Sequence, residues 1–230
     1  MLTPMKSLAP IMTAIALVAP AFSQNAEQLM DRARISATLQ NADLQGEIDG
    51  PKGDTDVSLF LRGKDIQIAL GNGQQRFHMR LGDDQYDLFE IINNKTMRFP
   101  DSKLQQPLAG SDLTYEDLAF RFLYWPNPKL EGSERVGTRD CWKIRVDNPG
   151  RKGAYALAYV WVDKEYGAFM KVEGFDRSGR RIKRFQVSDV MKIGDGKWTL
   201  QKMKVSTMNG DRAVSNSNLK FDKPKPGGTR

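Results

Sequence analysis

Histidine and cysteine each occur only once in this chain of 230 residues. A lone cysteine, Cys141, excludes an intramolecular disulfide. Metal centres built on several histidine or cysteine ligands are excluded by the same counts. A serine nucleophile with a histidine base would have to use His78, and no GxSxG turn accompanies it. His78 falls on the polar side of an alternating run, so it is expected to be exposed. No glycine motif that cradles phosphate is present, and no nucleic-acid reader motif. Glu116 and Asp117 are adjacent acids, but they sit where a helix would begin and are expected to complement its dipole. Asp83, Asp84 and Glu90 are the remaining acids that could serve a glycan hydrolase, and they form no evident catalytic pair. Catalytic residues and cofactors are therefore expected to be none. Cys141 lies between Asp140 and Trp142 in an alternating run and reads as a small buried apolar residue.

Long apolar runs are also scarce. The only one is N-terminal: Lys6 precedes Leu8 to Val18, which is apolar except for Thr13 and carries Pro10. It is shorter than the roughly 20 residues of a membrane span. Ala21 and Ser23 fit the small positions of a signal-peptidase site, with cleavage after Ser23, or alternatively after Ala21. The expected organisation is a signal peptide over 1–23, one domain over 24–222 and a disordered Pro/Gly tail over 223–230. No cysteine follows the cleavage site, so N-terminal lipidation is not expected. Mean hydropathy is −0.54, so a soluble, exported product is expected. The formal net charge of +7 suits anionic headgroups or acidic partners, and equally a plain solvated surface.

Alternation is what the chain has in quantity. Residues 25–40 read as a helix capped by Asn25, with Leu29, Met30, Ala33 and Ala37 near one face. From Ala42 the period becomes two: Val57, Leu59 and Leu61, then Ile66, Ile68 and Leu70, then Phe77, Met79 and Leu81. Turn residues separate these runs at Asp49-Gly50, Gly71-Asn72-Gly73 and Asn93-Asn94. Such spacing predicts an antiparallel meander that curls into a sandwich or barrel. The rhythm breaks at Thr114-Tyr115-Glu116-Asp117, which resembles a capping box and predicts a short apolar helix ending at Trp125, before Pro126. Strands resume after Lys129, with a hairpin about Gly137-Thr138. The class is α+β. A curled sheet has a concave face, which side chains fill, helices cover or a ligand occupies. The aromatic run Phe120 to Trp125 and the methionines Met79, Met97, Met170, Met191, Met203 and Met208 suit either a pocket for variable acyl shapes or ordinary core packing.

Several segments together carry a resemblance. Asp112-Leu113-Thr114-Tyr115-Glu116-Asp117-Leu118 is followed by Tyr124-Trp125, by Cys141-Trp142-Lys143-Ile144 and by Tyr159-Val160-Trp161-Val162-Asp163. Gly167-Ala168-Phe169-Met170-Lys171-Val172-Glu173 and Asp176-Arg177-Ser178-Gly179 complete the order. This order resembles a divergent branch of the LolA-like family, the periplasmic outer-membrane lipoprotein-sorting proteins. The resemblance implies an unclosed antiparallel β-barrel, a single curled sheet, with helices covering the concave face. It implies a periplasmic monomer that carries acyl chains of lipoproteins or other envelope lipids, loaded by an inner-membrane transporter and unloaded to an outer-membrane acceptor. A sensor or an accessory module of a lipid exporter on the same scaffold is the alternative. The residues expected to line the cavity are Leu59, Leu61, Phe77, Met79, Leu88, Phe120, Leu123, Tyr124, Trp125, Trp161 and Met170. Arg62 is the expected counterpart of an arginine that hydrogen-bonds the lid.

Overall fold

The computed structural model describes residues 25–37, 41–82, 86–150, 152–193 and 198–223. The expected signal peptide over 1–23 lies outside them, as do Asp83, Asp84 and tail residues 224–230. None of the described helices is long and apolar enough to cross a membrane.

The chain opens with α1 (Ala26–Ala37). Its start is set as the sequence indicates: the Asn25 side chain accepts the Glu27 amide at 3.0 Å. Leu29, Met30 and Ala33 form its buried stripe. Six strands follow, β1 (Asn41–Gly50), β2 (Gly53–Arg62), β3 (Asp65–Leu70), β4 (Gln75–Leu81), β5 (Tyr86–Ile92) and β6 (Lys95–Arg98). After a long non-strand segment come β7 (Lys129–Val136), β8 (Arg139–Asp147), β9 (Leu157–Asp163), β10 (Phe169–Phe175), β11 (Arg181–Lys192), β12 (Trp198–Asn209) and β13 (Arg212–Phe221).

All thirteen strands form one antiparallel sheet in the order β6-β5-β4-β3-β2-β1-β13-β12-β11-β10-β9-β8-β7. Two meanders meet at its centre, where β1 pairs with β13. Neither end strand, β6 or β7, pairs with the other, so the barrel is open. That topology dictates the cover. Strand β6 ends on one edge and β7 begins on the other, so residues 99–128 must cross the full width of the sheet. They cross on the concave side, where the burial period of two has put the apolar residues. Phe77, Ile68, Val160 and Phe185 from four strands share this face in one core with Leu108, Leu113, Phe122 and Leu123 of the crossing segment.

The expected second helix is not formed. Two short 3-10 turns, Asp117–Ala119 and Arg121–Tyr124, stand in its place. Half of the capping box is present, since the Asp117 carboxylate accepts the Thr114 amide at 2.8 Å. The turn stops after three residues because Phe120 is left-handed, with φ 43° and ψ 47°. The cover is therefore one α-helix plus an irregular strap. Arg34 ties the two together by donating from Nε to the Leu123 carbonyl at 2.6 Å.

Candidate functional site

Between the strap and the sheet lies a hollow of about 70 Å³. Sheet residues Ile48, Val57, Leu59, Leu61, Ile66, Ile68, Met203, Leu219 and Phe221 form its floor. Ala37, Leu108, Leu113, Leu118 and Phe120 form its roof, with Asp117 the single acid in the wall. Those floor residues come from β1, β2, β3, β12 and β13, the central strands where the two meanders join. An unfilled apolar space costs roughly 24 cal/mol per Å³, so this hollow costs about 2 kcal/mol. Ligand sites usually enclose about 300–1,000 Å³. The space is thus an apolar seam well below that size.

Beside this apolar packing, the strap's polar contacts are concentrated. Asp112 is buried, and its carboxylate accepts hydrogen bonds from Thr207 Oγ1 at 2.5 Å, Ser215 Oγ at 2.9 Å and Ser217 Oγ at 2.8 Å. Its amide donates to Ser217 Oγ at 2.8 Å, and its carbonyl accepts from Lys183 Nζ. The period of two explains the convergence. Ser215 and Ser217 on β13 and Thr207 on β12 point to the concave face, and Thr207 pairs with Ser215 across the ladder. Lys183 on β11 faces the same way and lies 3.6 Å from Asp117 Oδ2. Asp117 Oδ1 in turn accepts from the Tyr155 hydroxyl at 2.6 Å. The Tyr155 ring lies over Gly174, where an added Cβ would come within 2.5 Å of it. Burial, followed by the neighbouring Asp117, pushes the Tyr155 phenol well above its usual range, so it donates as a neutral hydroxyl.

Glu116 completes the strap's anchorage. Its Oε2 accepts the Ala154 amide at 3.1 Å, and Oε1 lies 3.8 Å from Arg121 Nη1. Burial raises its pKa, opposed in part by the Ala154 hydrogen bond. Glu116 and Asp117 thus have no α-helix dipole to complement, contrary to what their position predicts. They are 2% and 1% exposed and serve tertiary contacts.

The sequence-predicted lining divides into groups. Leu59, Leu61 and Phe120 line the hollow. Phe77, Met79, Leu123 and Trp125 are buried in the surrounding core. Tyr124 is half-buried beneath Arg34, whose guanidinium carbon lies 5.6 Å from the ring centroid. Leu88 borders a second depression nearer the β6 edge. Trp161 is a correction. Val160 and Val162 take the concave positions of β9, so Trp161 faces the opposite side. There its indole donates to Glu134 at 2.9 Å, and Lys171 Nζ lies 3.6 Å from its ring. Met170 sits at a register shift of β10 and packs against both sides' clusters. Arg62 is the second correction. It is exposed and bonds Asp43 on the neighbouring strand at 2.6 Å, with no hydrogen bond to the strap among the described contacts. Arg34 and Lys183 make the cover's hydrogen bonds instead. His78 is half-buried against Asp65 at 2.9 Å, and Glu90 stands opposite Phe77 on the concave side.

Cys141 is fully buried on the convex side with Val136 and Trp161. Burial, helped by the Asp163 charge, pushes its thiol up to about 11. At pH 8 only about a thousandth of it is thiolate. A disulfide reagent at that pH is expected to leave Cys141 untouched in the native protein and to titrate one thiol in urea. Rapid native-state labelling would contradict its placement.

A family model described as "-like: Uncharacterized protein" matches residues 73–226. Comparison with curated proteins gave no match. Among solved structures, the chain is similar to a DUF1329 family protein from Desulfovibrio piger, at 20% identity and TM-score 0.69, covering 89% of this chain and 93% of that one. It is similar to a domain described as that of an outer membrane lipoprotein-sorting protein from Vibrio parahaemolyticus, at 17% identity and TM-score 0.67, covering 90% and 95%. A LolA superfamily protein from Nitrosomonas europaea is likewise similar, at 17% identity and TM-score 0.64, covering 86% and 91%. At such identities the likeness is one of fold.

Proposed function

We propose that this chain, which belongs to the family of uncharacterized proteins matched over residues 73–226 and has the LolA-like fold, binds acyl chains between its sheet and its strap and carries them across the periplasm. The observation that carries this reading is the contrast inside the cover. The seam is apolar along almost its whole wall, while the strap is fastened by a few polar pins around Asp112 and Asp117. A surface built that way can part at the pins and offer hydrocarbon a continuous apolar bed.

Magnitudes favour such loading. Burying a dozen methylenes yields roughly 10 kcal/mol at about 0.8 each. Releasing a few buried hydrogen bonds costs about 1–3 kcal/mol apiece. The ligand's own burial is therefore of the same order as the cost of parting these contacts, with no covalent step. Export by a signal over 1–23, a domain over 24–222 and a tail over 223–230 belong to the same proposal. So do an inner-membrane transporter as donor and an outer-membrane acceptor. The description of the similar Vibrio structure, an outer membrane lipoprotein-sorting protein domain, supports an outer-membrane destination. The acids that might suggest catalysis, Glu116 and Asp117, are occupied in fastening the strap, which supports binding over chemistry.

Lipid is expected in organic extracts of the purified protein by mass spectrometry, and a fluorescent fatty acid should bind saturably. Leu59→Trp fills the seam and is expected to weaken that binding at least tenfold, while far-UV circular dichroism stays unchanged; one buried indole forfeits contacts worth over about 1.4 kcal/mol. Extracts without lipid, together with no uptake of the probe, would sink the carrier reading.

A further inference from the structure

A second depression, about 330 Å³, opens beside the seam toward the β6 edge. Its wall includes three cations, Arg98, Arg121 and Lys152, against one acid, Asp101. Its floor is apolar where Leu88 and Phe99 enter it. The two spaces are adjacent through the backbone: Phe120 lines the seam, and the next residue, Arg121, lines the depression. The left-handed turn at Phe120 is what sends these neighbours into different spaces. Phe99 links them from the other side. Its ring lies 4.6 Å from that of Tyr115 on the strap and 5.9 Å from that of Phe77, which pairs with the seam residue Ile68.

We infer that this depression holds the anionic headgroup, a phosphate by chemistry, of an amphiphile whose tails enter the seam. The inference rests on the acyl-binding reading above. Three cations stand in a wall of headgroup size against Asp101 and can donate to phosphate oxygens from several sides, although Asp87 and Glu116 behind Arg98 and Arg121 offset their net charge. Arg98 and Arg121 are held in place by acids outside that wall, with Nη2 of Arg98 at 3.3 Å from Asp87 and Nη1 of Arg121 at 3.8 Å from Glu116. Held guanidiniums meet phosphate oxygens at little entropic cost. Apolar Leu88 and Phe99 suit the glycerol end of such a molecule, where polarity falls off toward the tails.

The test compares two fluorescent lipids with identical tails, a phosphatidic acid and a diacylglycerol, against the full chain. Arg98 and Lys152 are exposed, so Arg98→Glu and Lys152→Glu should keep the fold, checked by melting temperature. Phosphatidic acid is expected to bind at least fivefold more tightly, and each substitution should weaken it about fivefold or more while diacylglycerol binding is unmoved. The preference should also shrink at about 0.5 M salt, where screening is strong. Equal affinity for both lipids, with silent substitutions, overturns the headgroup site and leaves the carrier reading standing. Failure of both lipids to bind removes the carrier reading itself, and the headgroup site with it. Displacement of the phosphatidic acid by millimolar inorganic phosphate assigns the depression to free phosphate and likewise overturns the headgroup.

Discussion

Asp112→Ala is expected to lower the unfolding free energy by about 3–5 kcal/mol. The carboxylate accepts three hydroxyl hydrogen bonds in a buried setting. Its removal leaves Thr207, Ser215 and Ser217 without that acceptor, Ser217 fully buried and the other two half-buried. Bonds to a charged acceptor are worth about 1.5–3 kcal/mol each, offset partly by the relief of burying the charge. The Lys183 contact survives, because it is made to the Asp112 carbonyl and to Asp117. Native stabilities are about 5–15 kcal/mol, so the loss is a large fraction of the whole. It should appear as a fall in melting temperature of roughly 10 °C by calorimetry. Asp112→Asn keeps one oxygen acceptor and should lose about half as much. The same variants should take up a fluorescent fatty acid faster, since less holds the strap. A drop below about 1 kcal/mol for Asp112→Ala would show that the strap is fastened elsewhere.

This pin also marks the boundary of what the sequence makes legible. The strands announce themselves, because a half-buried strand must alternate and short turns need particular residues. The runs at Val57, Ile66 and Phe77 all face the core as their period implies. So does the first stripe of α1. The Asp112 cluster is different in kind. Asp112 and Ser217 lie 105 positions apart, and they meet only because β13 closes the second meander against β1. No local period encodes that closure. The contacts of Glu116 and Asp117 are illegible in the sequence for a related reason. Their spacing from Thr114 is that of a helix start, but the partners that claim them, Ala154 and Tyr155, come from a loop 38 residues away. Trp161 shows the opposite failure. Its face follows directly from the alternation Ala158, Val160, Val162, all of which are buried in the core. The strand's own period gives the correct face. The hollow itself was foreseeable only as a choice between filled and unfilled. Its small size depends on how closely Leu108, Leu113 and Phe120 descend on the sheet, a matter of tertiary packing.

A disulfide between the strap and the sheet should abolish lipid entry. Gly50 ends β1 directly beneath the strap, and a Cβ built on it would lie 3.1 Å from the Ser111 Cβ. Disulfides need about 3.5–4.5 Å between these atoms, so Gly50→Cys with Ser111→Cys can bridge after a shift of roughly half an ångström. The bond would sit one residue from Asp112 and hold the roof where the polar pins now hold it reversibly. Cys141 should stay out of the chemistry, being fully buried with its thiol pushed up to about 11. Oxidised double variant is expected to bind fluorescent fatty acid at less than about a tenth of the wild-type extent, because the closed seam of about 70 Å³ lies well below the roughly 300 Å³ of a ligand site. Reduction should restore uptake in the same sample, which separates locking from misfolding. Lipid loaded before oxidation should be retained when acceptor vesicles are added, and released on reduction. Each single variant reports the cost of substitution alone, including the lost hydrogen bonds of the Ser111 hydroxyl to the Leu108 carbonyl and the Leu113 amide. If the bridged protein loads as readily as the reduced one, hydrocarbon enters without lifting the strap, and the seam beneath it is only the packed interior of the fold.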